Sequence, residues 1–327
     1  MTKLERIIVS FKPIRFVLNR TKHIVLPGFQ KLPLYDVIVF YYNQIKSTAI
    51  GQRASSISYN LIIAIPAAFL FLFSIVPHLP RYLRDNFSEE LFKLITAYFT
   101  PTPATETWIR NSLNDFLNTQ RGTLSLLGFI LVTWATSNAM LGIMKSFDHT
   151  IVLKKDKNVF QHRWTAVKLT TLLMMLVIAT VFLLISEGRL LKIILHEFNL
   201  ESSTVRIIIK TLDWVIFIAL SVFSIGCIYR YAPSIHKRWH IITPGSILST
   251  LLILLTTFIF SFWMNRFGSY NKLYGSIGTV LILMLLIYFN SIVLLLGFEL
   301  NNSITHLKQT ARLREKREEE EKAAHSV

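Results

Sequence analysis

Apolar residues along this chain gather into six long blocks that polar segments separate. We place the blocks at about 57–77, 124–144, 165–186, 206–229, 241–264 and 277–300. Each block has about 20 residues, the length that a helix needs to cross a hydrocarbon core of about 30 Å. The pattern therefore predicts an all-α membrane protein built as a six-transmembrane helix bundle.

The segments around the blocks carry an amphipathic pattern. Near the amino terminus, apolar residues recur at helical spacing opposite Lys and Arg, which is typical of helices on a membrane surface. The longest connection, 78–123, holds two similar stretches, which Pro101 and Pro103 separate, and we expect two amphipathic helices over the outer face. The predicted organisation is a cytoplasmic or interfacial segment (1–52), a transmembrane domain (53–302) and a charged cytoplasmic tail (303–327).

Basic residues give the chain its orientation. The formal net charge is +16, although 52% of the residues are hydrophobic. Lys and Arg before the first block, after the second and fourth, and after the sixth outnumber those in the other connections by more than two to one. Because cytoplasmic loops are rich in Lys and Arg, we expect both termini in the cytoplasm. The basic excess suits anionic lipid headgroups and requires no nucleic acid partner.

Charged residues inside the blocks are the first candidates for function, since they are costly in hydrocarbon and usually face a bundle interior or a wet cavity. Lys210 and Asp213 stand three residues apart on one helical face, where they either pair with each other or line a cavity. Glu299 ends the sixth block. Its pairing with Arg53 or Lys145 is a hypothesis that the sequence leaves open.

Helix-breaking residues indicate where the bundle bends. Pro66 lies inside the first block, where it removes one backbone hydrogen bond and is expected to kink the helix. Gly268 and Gly275 belong to a block rich in Gly and Tyr between the last two spans, which predicts a tight turn at the outer interface. We take these three residues as candidate hinges.

Motifs of enzymatic chemistry are absent from the sequence. The nine His are dispersed and the single cysteine is Cys227, so no metal-ligand spacing occurs. There is no Gly-x-Ser-x-Gly and no P-loop. We therefore expect a protein that is not an enzyme and that uses no metal and no cofactor.

Six short segments together carry a family resemblance. They are 54–59 with its following Pro66, 134–140, 230–233, 243–245, 267–276 and 297–301, which reads Gly-Phe-Glu-Leu-Asn. Over about 53–302 the chain resembles the YihY/BrkB membrane proteins, a family once misnamed ribonuclease BN. Two positions depart from the family pattern: Asn60 stands where an aromatic residue is common, and Asp148 stands where Asn is expected.

The resemblance implies a six-span protein of the bacterial inner membrane. Members of the family have been linked to envelope integrity, serum resistance and export of lipid or lipid-A precursors. The leading hypothesis is therefore a flippase-like transporter of lipid or a lipid-linked envelope precursor, with membrane lipids and their anionic headgroups as partners. The candidate path consists of Arg53, Ser56, Asn60, Asn138, Lys210, Asp213 and Glu299.

Two other functions stay open at this point. A small-solute or ion-coupled transporter would use Asp213 or Glu299 as its coupling carboxylate. A non-transporting scaffold would instead dock envelope proteins through the loop 78–123.

Overall fold

Seven α-helices make up most of the part of the chain that the structure, a computed structural model, describes. This part comprises residues 33–75, 107, 111, 124–151, 155–197, 203–236, 238–266 and 276–325. The helices are α1 (Leu34–Ser47), α2 (Ile50–Ile75), α3 (Leu124–Asp148), α4 (Val159–Glu197), α5 (Ser203–Tyr231), α6 (Pro244–Arg266) and α7 (Ser276–His325). The candidate hinges Gly268 and Gly275, the first 32 residues and nearly all of the loop 78–123 lie outside the described residues.

Four helices are long and apolar enough to cross a membrane within the described residues. The qualifying segments are Val159–Thr180, Trp214–Tyr231, Pro244–Trp263 and Leu281–Leu313. Helices α2 and α3 have 26 and 25 residues, so at about 1.5 Å per residue they also exceed the roughly 30 Å hydrocarbon core. The chain is an all-α membrane protein, and the count of six spans stays a prediction.

Helices α2 to α7 form a closed ring whose order follows the chain. Each helix packs against the next one, and α7 returns to pack against α2. Alternate helices such as α3, α5 and α7 are therefore not ring neighbours, and their side chains meet only across the centre.

The two ends of this ring differ in packing. We call the end that contains Arg53, Phe147, Tyr229, Gly245 and Phe298 the packed end, and the opposite one the far end. The main cluster of buried hydrophobic residues lies at the packed end. Toward the far end, no described side chain is buried in the ranges 171–180, 211–224, 251–263 and 283–290. Burial among the described residues is therefore sparser toward the far end, where Ala64 of α2 and Ile282 of α7 are still buried.

Helix α1 lies against the outside of the ring. Val37, which is fully buried, packs with Leu300 and Ile304 of α7. Helix α7 runs without a break for 50 residues, about 75 Å, and so joins the last predicted span to the charged tail. Helix α1 is thus docked on α7, and its location at the membrane surface stays a prediction.

Candidate functional site

Three aromatic side chains close the centre of the ring at its packed end. Phe147 of α3 stacks on Phe298 of α7 with ring centroids 4.0 Å apart. Tyr229 of α5 completes a triangle, with centroids 5.8 Å from Phe147 and 6.3 Å from Phe298. All three side chains are fully buried. Because they come from alternate helices, this aromatic plug fills the axis of the ring.

A buried ion pair lies beside the aromatic plug. Arg53 of α2 donates from Nη1 to Oε1 of Glu299 on α7 at 2.6 Å, and Glu299 is completely buried. Thr150 donates to the same carboxylate oxygen at 2.9 Å. Nε of Arg53 donates to the Ser146 carbonyl at 3.1 Å. The pair therefore ties α2, α7 and the end of α3 together in a region where an unpaired charge would be costly.

The hydrogen bonding of this cluster leaves one donor group unused. Nη2 of Arg53 is buried and has no hydrogen-bond partner among the described residues. On the other side of Glu299, Asn302 donates weakly to Oε2 at 3.4 Å. An arginine with a spare donor can exchange one acceptor for another without first losing all of its partners.

Tyr41 of α1 extends the cluster toward the outside of the ring. Its hydroxyl donates to the Leu296 carbonyl at 3.0 Å. Burial, and after it the negative charge of Glu299, raise the pKa of Tyr41 to about 12. The phenol thus stays protonated and keeps this hydrogen bond at any physiological pH.

Small residues bring α6 and α7 into backbone contact next to the plug. A Cβ atom added to Gly297 would lie 1.9 Å from the Ser249 hydroxyl oxygen, and one added to Gly245 would lie 2.1 Å from the Gly297 carbonyl oxygen. The Tyr229 hydroxyl shares a 2.6 Å hydrogen bond with Ser249 and donates to the Leu294 carbonyl at 2.7 Å. The glycines are therefore required by the close approach of the two helices.

Asp148 fastens the α5–α6 connection to the end of α3. Its carboxylate accepts from the Ser234 backbone N–H at 2.7 Å and from the Ser234 hydroxyl at 2.8 Å. His162 lies 3.9 Å away. Burial lowers the pKa of nearby Lys157, while the Asp148 charge opposes that shift. The residue that departs from the family pattern thus has a structural role, in which an Asn could still accept the backbone N–H.

The structure brings only part of the predicted path together. Arg53 pairs with Glu299, which is one of the two pairings considered from the sequence. Ser56 is exposed on α2, and its carbonyl accepts from the Asn60 side chain at 2.7 Å. Asn138 is exposed on α3, where it binds Arg163. Of these candidates, only Arg53 and Glu299 meet in one buried site, while Ser56 and Asn138 are exposed on two different helices.

Three other candidates have a known place in the helices. Lys210 and Asp213 lie in α5 toward the far end, and their side chains are outside the described part of the chain. Pro66 is exposed inside α2, which continues through it to Ile75. Whether these residues line a path or form a hinge stays a prediction.

The aromatic plug is not predictable from the sequence. The chain has 24 Phe and 11 Tyr, and nothing in their spacing separates the central three from those that face outward. The one available signal was that Phe298 stands between Gly297 and Glu299 in a family motif. Arg163 was not among the predicted site residues, although a charged residue beside Trp164 at the start of the third predicted span is a possible signal of function.

Among the described residues, no cluster of three or more His, Cys, Asp or Glu is arranged to hold a metal ion. The arrangement offers instead an exchangeable buried ion pair and a central aromatic closure.

Taken together, the helical ring and its apolar surface define a multi-pass α-helical membrane protein. The chain belongs to the family described as "Virulence factor BrkB", whose model matches residues 41–323.

Relatives with curated names are similar over most of this chain. A ribonuclease-like protein of Bacillus subtilis, YfkH, is 26% identical over 77% of this chain and 89% of its own length. A UPF0761 membrane protein of Tolumonas auensis is 25% identical over 80% of this chain and 82% of its own. A UPF0761 membrane protein of Xanthomonas campestris pv. campestris is 24% identical over 81% of this chain and 60% of its own. No solved structure matches the chain.

Proposed function

We propose that this protein is a transporter of the bacterial inner membrane that moves lipid or a lipid-linked envelope precursor across the bilayer. Membership of a membrane protein family supports the location. The observation that carries the proposal is the asymmetry of the ring, in which the aromatic plug fills one end while fewer described side chains are buried toward the other. A transporter with one closed gate is expected to have this form.

The apolar surface of α5 and α6 toward the far end favours a lipid over a polar solute. The exposed side chains there are large and apolar, such as Leu251, Leu255 and Phe258 of α6 and Ile218 of α5. Acyl chains can contact such side chains at no desolvation cost, whereas a hydrated ion or sugar cannot. The Arg53–Glu299 pair at the plug would then interact with a polar headgroup during opening.

The positive-inside pattern supports an orientation for the gate. Lys145, Lys155, Arg230 and Arg238 lie at or near the packed end, which supports a cytoplasmic location for that end. The plug would then close the cytoplasmic side of the ring, and the far end would face the outer leaflet. Without a P-loop, movement would be passive, driven by a gradient or coupled to a partner.

Lipid translocation in proteoliposomes tests the proposal. The assay uses fluorescent phosphatidylglycerol with quenching from outside only, and compares wild type, Glu299→Gln, Lys210→Ala and empty vesicles. We expect wild type to expose inner-leaflet lipid faster than empty vesicles. Glu299→Gln is expected to slow it by about tenfold or more, because the charged acceptor of Arg53 is lost. Wild type matching empty vesicles would refute passive movement of this lipid.

The alternatives have their own outcomes in the same system. Transport of a small solute that depends steeply on pH or sodium, without lipid movement, would favour an ion-coupled transporter using Glu299 or Asp213. Capture of envelope proteins that is lost on deletion of 78–123, again without lipid movement, would favour a scaffold.

A further inference from the structure

Arg163, near the start of α4, is held in an exposed cluster on the neighbouring helix α3. Its guanidinium lies flat over the Trp134 ring, with Cζ 3.6 Å from the ring centroid. Nη2 donates to the Trp134 carbonyl at 2.9 Å, and Nη1 donates to the Asn138 side-chain oxygen. Trp134 remains 57% exposed. The arginine is therefore fixed in place while one side of the cluster stays open.

The cluster faces away from the centre of the ring. Trp134 and Asn138 are one turn apart on α3, on the side roughly opposite the fully buried Phe147. Outside the ring lies the bilayer. The guanidinium thus points into a groove between α3 and α4 that lipids can reach.

The positive charge of Arg163 is not balanced within the described part of the protein. Its contacts there are the amide oxygen of Asn138, the backbone carbonyl of Trp134 and the indole ring, and none is a carboxylate. A guanidinium has five N–H donors, and two are used here. Further Nη hydrogens remain for an anionic acceptor, while one face is already shielded by the indole.

The position of the cluster relative to the predicted spans bears on the cost of its unbalanced charge. Trp134 lies ten residues, about 15 Å, before residue 144, where the predicted second span ends. Arg163 itself stands two residues before the predicted third span, so the guanidinium lies toward the cytoplasmic side of the predicted hydrocarbon region, where an unpaired charge is costly. An anion or a local inflow of water must offset that cost.

A second cation on α4 also stands beside an exposed indole, on a face about 140° around the helix from Arg163. Lys168 lies with Nζ 5.2 Å from the ring centroid of Trp164, which is 54% exposed. The Arg163 guanidinium beside the exposed Trp134 indole suits a lipid whose phosphate takes the charge and whose glycerol and acyl groups lie against the aromatic ring.

We propose that the groove formed by Arg163, Trp134 and Asn138 binds the phosphate of a phospholipid and holds its headgroup at the cytoplasmic side of the predicted hydrocarbon region. This inference deepens the proposed function and relies on it for the role of the site, though not for the binding itself. The guanidinium supplies paired N–H donors to two phosphate oxygens, which a Lys ammonium cannot reproduce in that geometry.

Native mass spectrometry of the full-length protein in detergent, titrated with dioleoyl phosphatidylglycerol, tests the site. We expect Arg163→Gln to weaken the tightest lipid-binding step by about tenfold or more, and Arg163→Lys to restore it only in part. The matched control is Lys155→Gln, which removes one positive charge from an exposed loop outside the groove and is expected to change binding less than twofold. Equal losses in Arg163→Gln and Lys155→Gln, or no loss in either, would overturn the proposal.

A second measurement keeps the test valid if Arg163→Gln fails to fold. In proteoliposomes containing bromine-labelled phosphatidylglycerol, part of the tryptophan fluorescence is quenched, and Trp134→Phe should remove the largest single share of that quenching. An unchanged quenched share would contradict a lipid in the groove. Millimolar inorganic phosphate added together with the lipid should not displace it in the mass spectrum. Displacement of the lipid would show a free-phosphate site.

The binding and transport results separate the two proposals. Lipid bound through Arg163 in a protein that moves no lipid would refute the proposed function and leave the groove intact. Lipid movement that is insensitive to Arg163→Gln, together with unchanged lipid binding, would refute the groove alone.

Discussion

At the residue scale, the Arg53–Glu299 pair is the feature that links sequence to function most closely. A buried charge requires a partner of opposite charge. The sequence could therefore limit the partner of Glu299 to two candidates, Arg53 and Lys145. The structure selects Arg53 and adds Thr150 and Asn302 as further donors around the carboxylate. No such rule identifies an aromatic contact, because Phe and Tyr occur both on lipid-facing surfaces and in protein cores.

Substitution of the pair separates its structural from its functional contribution. Arg53→Met and Glu299→Met should each lower the free energy of unfolding by about 3–5 kcal/mol, because each leaves one buried charge alone. The double variant should recover most of that loss, since an apolar pair replaces both charges. Thermal unfolding in detergent of all four proteins measures the coupling. A double variant as unstable as the sum of the single variants would show that the two side chains do not interact.

At the element scale, helix length was easier to predict than helix packing. Hydropathy marks where a helix is inside the membrane but not where it stops, so α4 begins six residues before the predicted third span and α7 extends to His325. The docking of α1 on α7 could not be read from its composition, since the same apolar face would serve on a membrane surface. The close α6–α7 contact depends on Gly245 and Gly297, whose neighbours across the interface are distant in sequence.

A pair of glycine substitutions tests that contact. Gly297→Ala should destabilise the protein by several kcal/mol, since the new Cβ would lie 1.9 Å from the Ser249 hydroxyl oxygen. Gly51→Ala in α2 is the matched control, because the nearest atom to its Cβ would be the Tyr288 hydroxyl oxygen at 3.5 Å. The control should be neutral or stabilising by up to about 1 kcal/mol. Thermal unfolding that ranks the two variants in the opposite order would contradict the packing described.

At the scale of the whole molecule, the closed ring and its uneven packing were not predictable. Periodicity shows that each helix has more than one apolar side, but both lipid and protein neighbours satisfy that pattern. Only the arrangement of alternate helices shows Phe147, Tyr229 and Phe298 meeting at one point. The predicted orientation, by contrast, follows from the sequence alone, because it depends on where Lys and Arg lie.

Cysteine labelling tests that orientation. In a Cys227→Ser background, Lys155→Cys near the packed end and Asn111→Cys in the loop 78–123 both introduce exposed thiols. With a membrane-impermeant maleimide, Asn111→Cys should react in intact spheroplasts and Lys155→Cys only after permeabilisation. The reverse pattern would place the packed end outside and invert the proposed gate.

The central claim, that lipid movement requires opening of the aromatic plug, is tested most directly by lipid translocation rates in proteoliposomes. The comparison is between wild type, Phe298→Ala and the control Phe160→Ala, whose side chain is 78% exposed at the start of α4. Removing a ring from the plug weakens the closed state, so Phe298→Ala should move fluorescent phosphatidylglycerol about tenfold faster than wild type, with Phe160→Ala within about twofold. Wild type and Phe298→Ala both indistinguishable from empty vesicles would contradict the account.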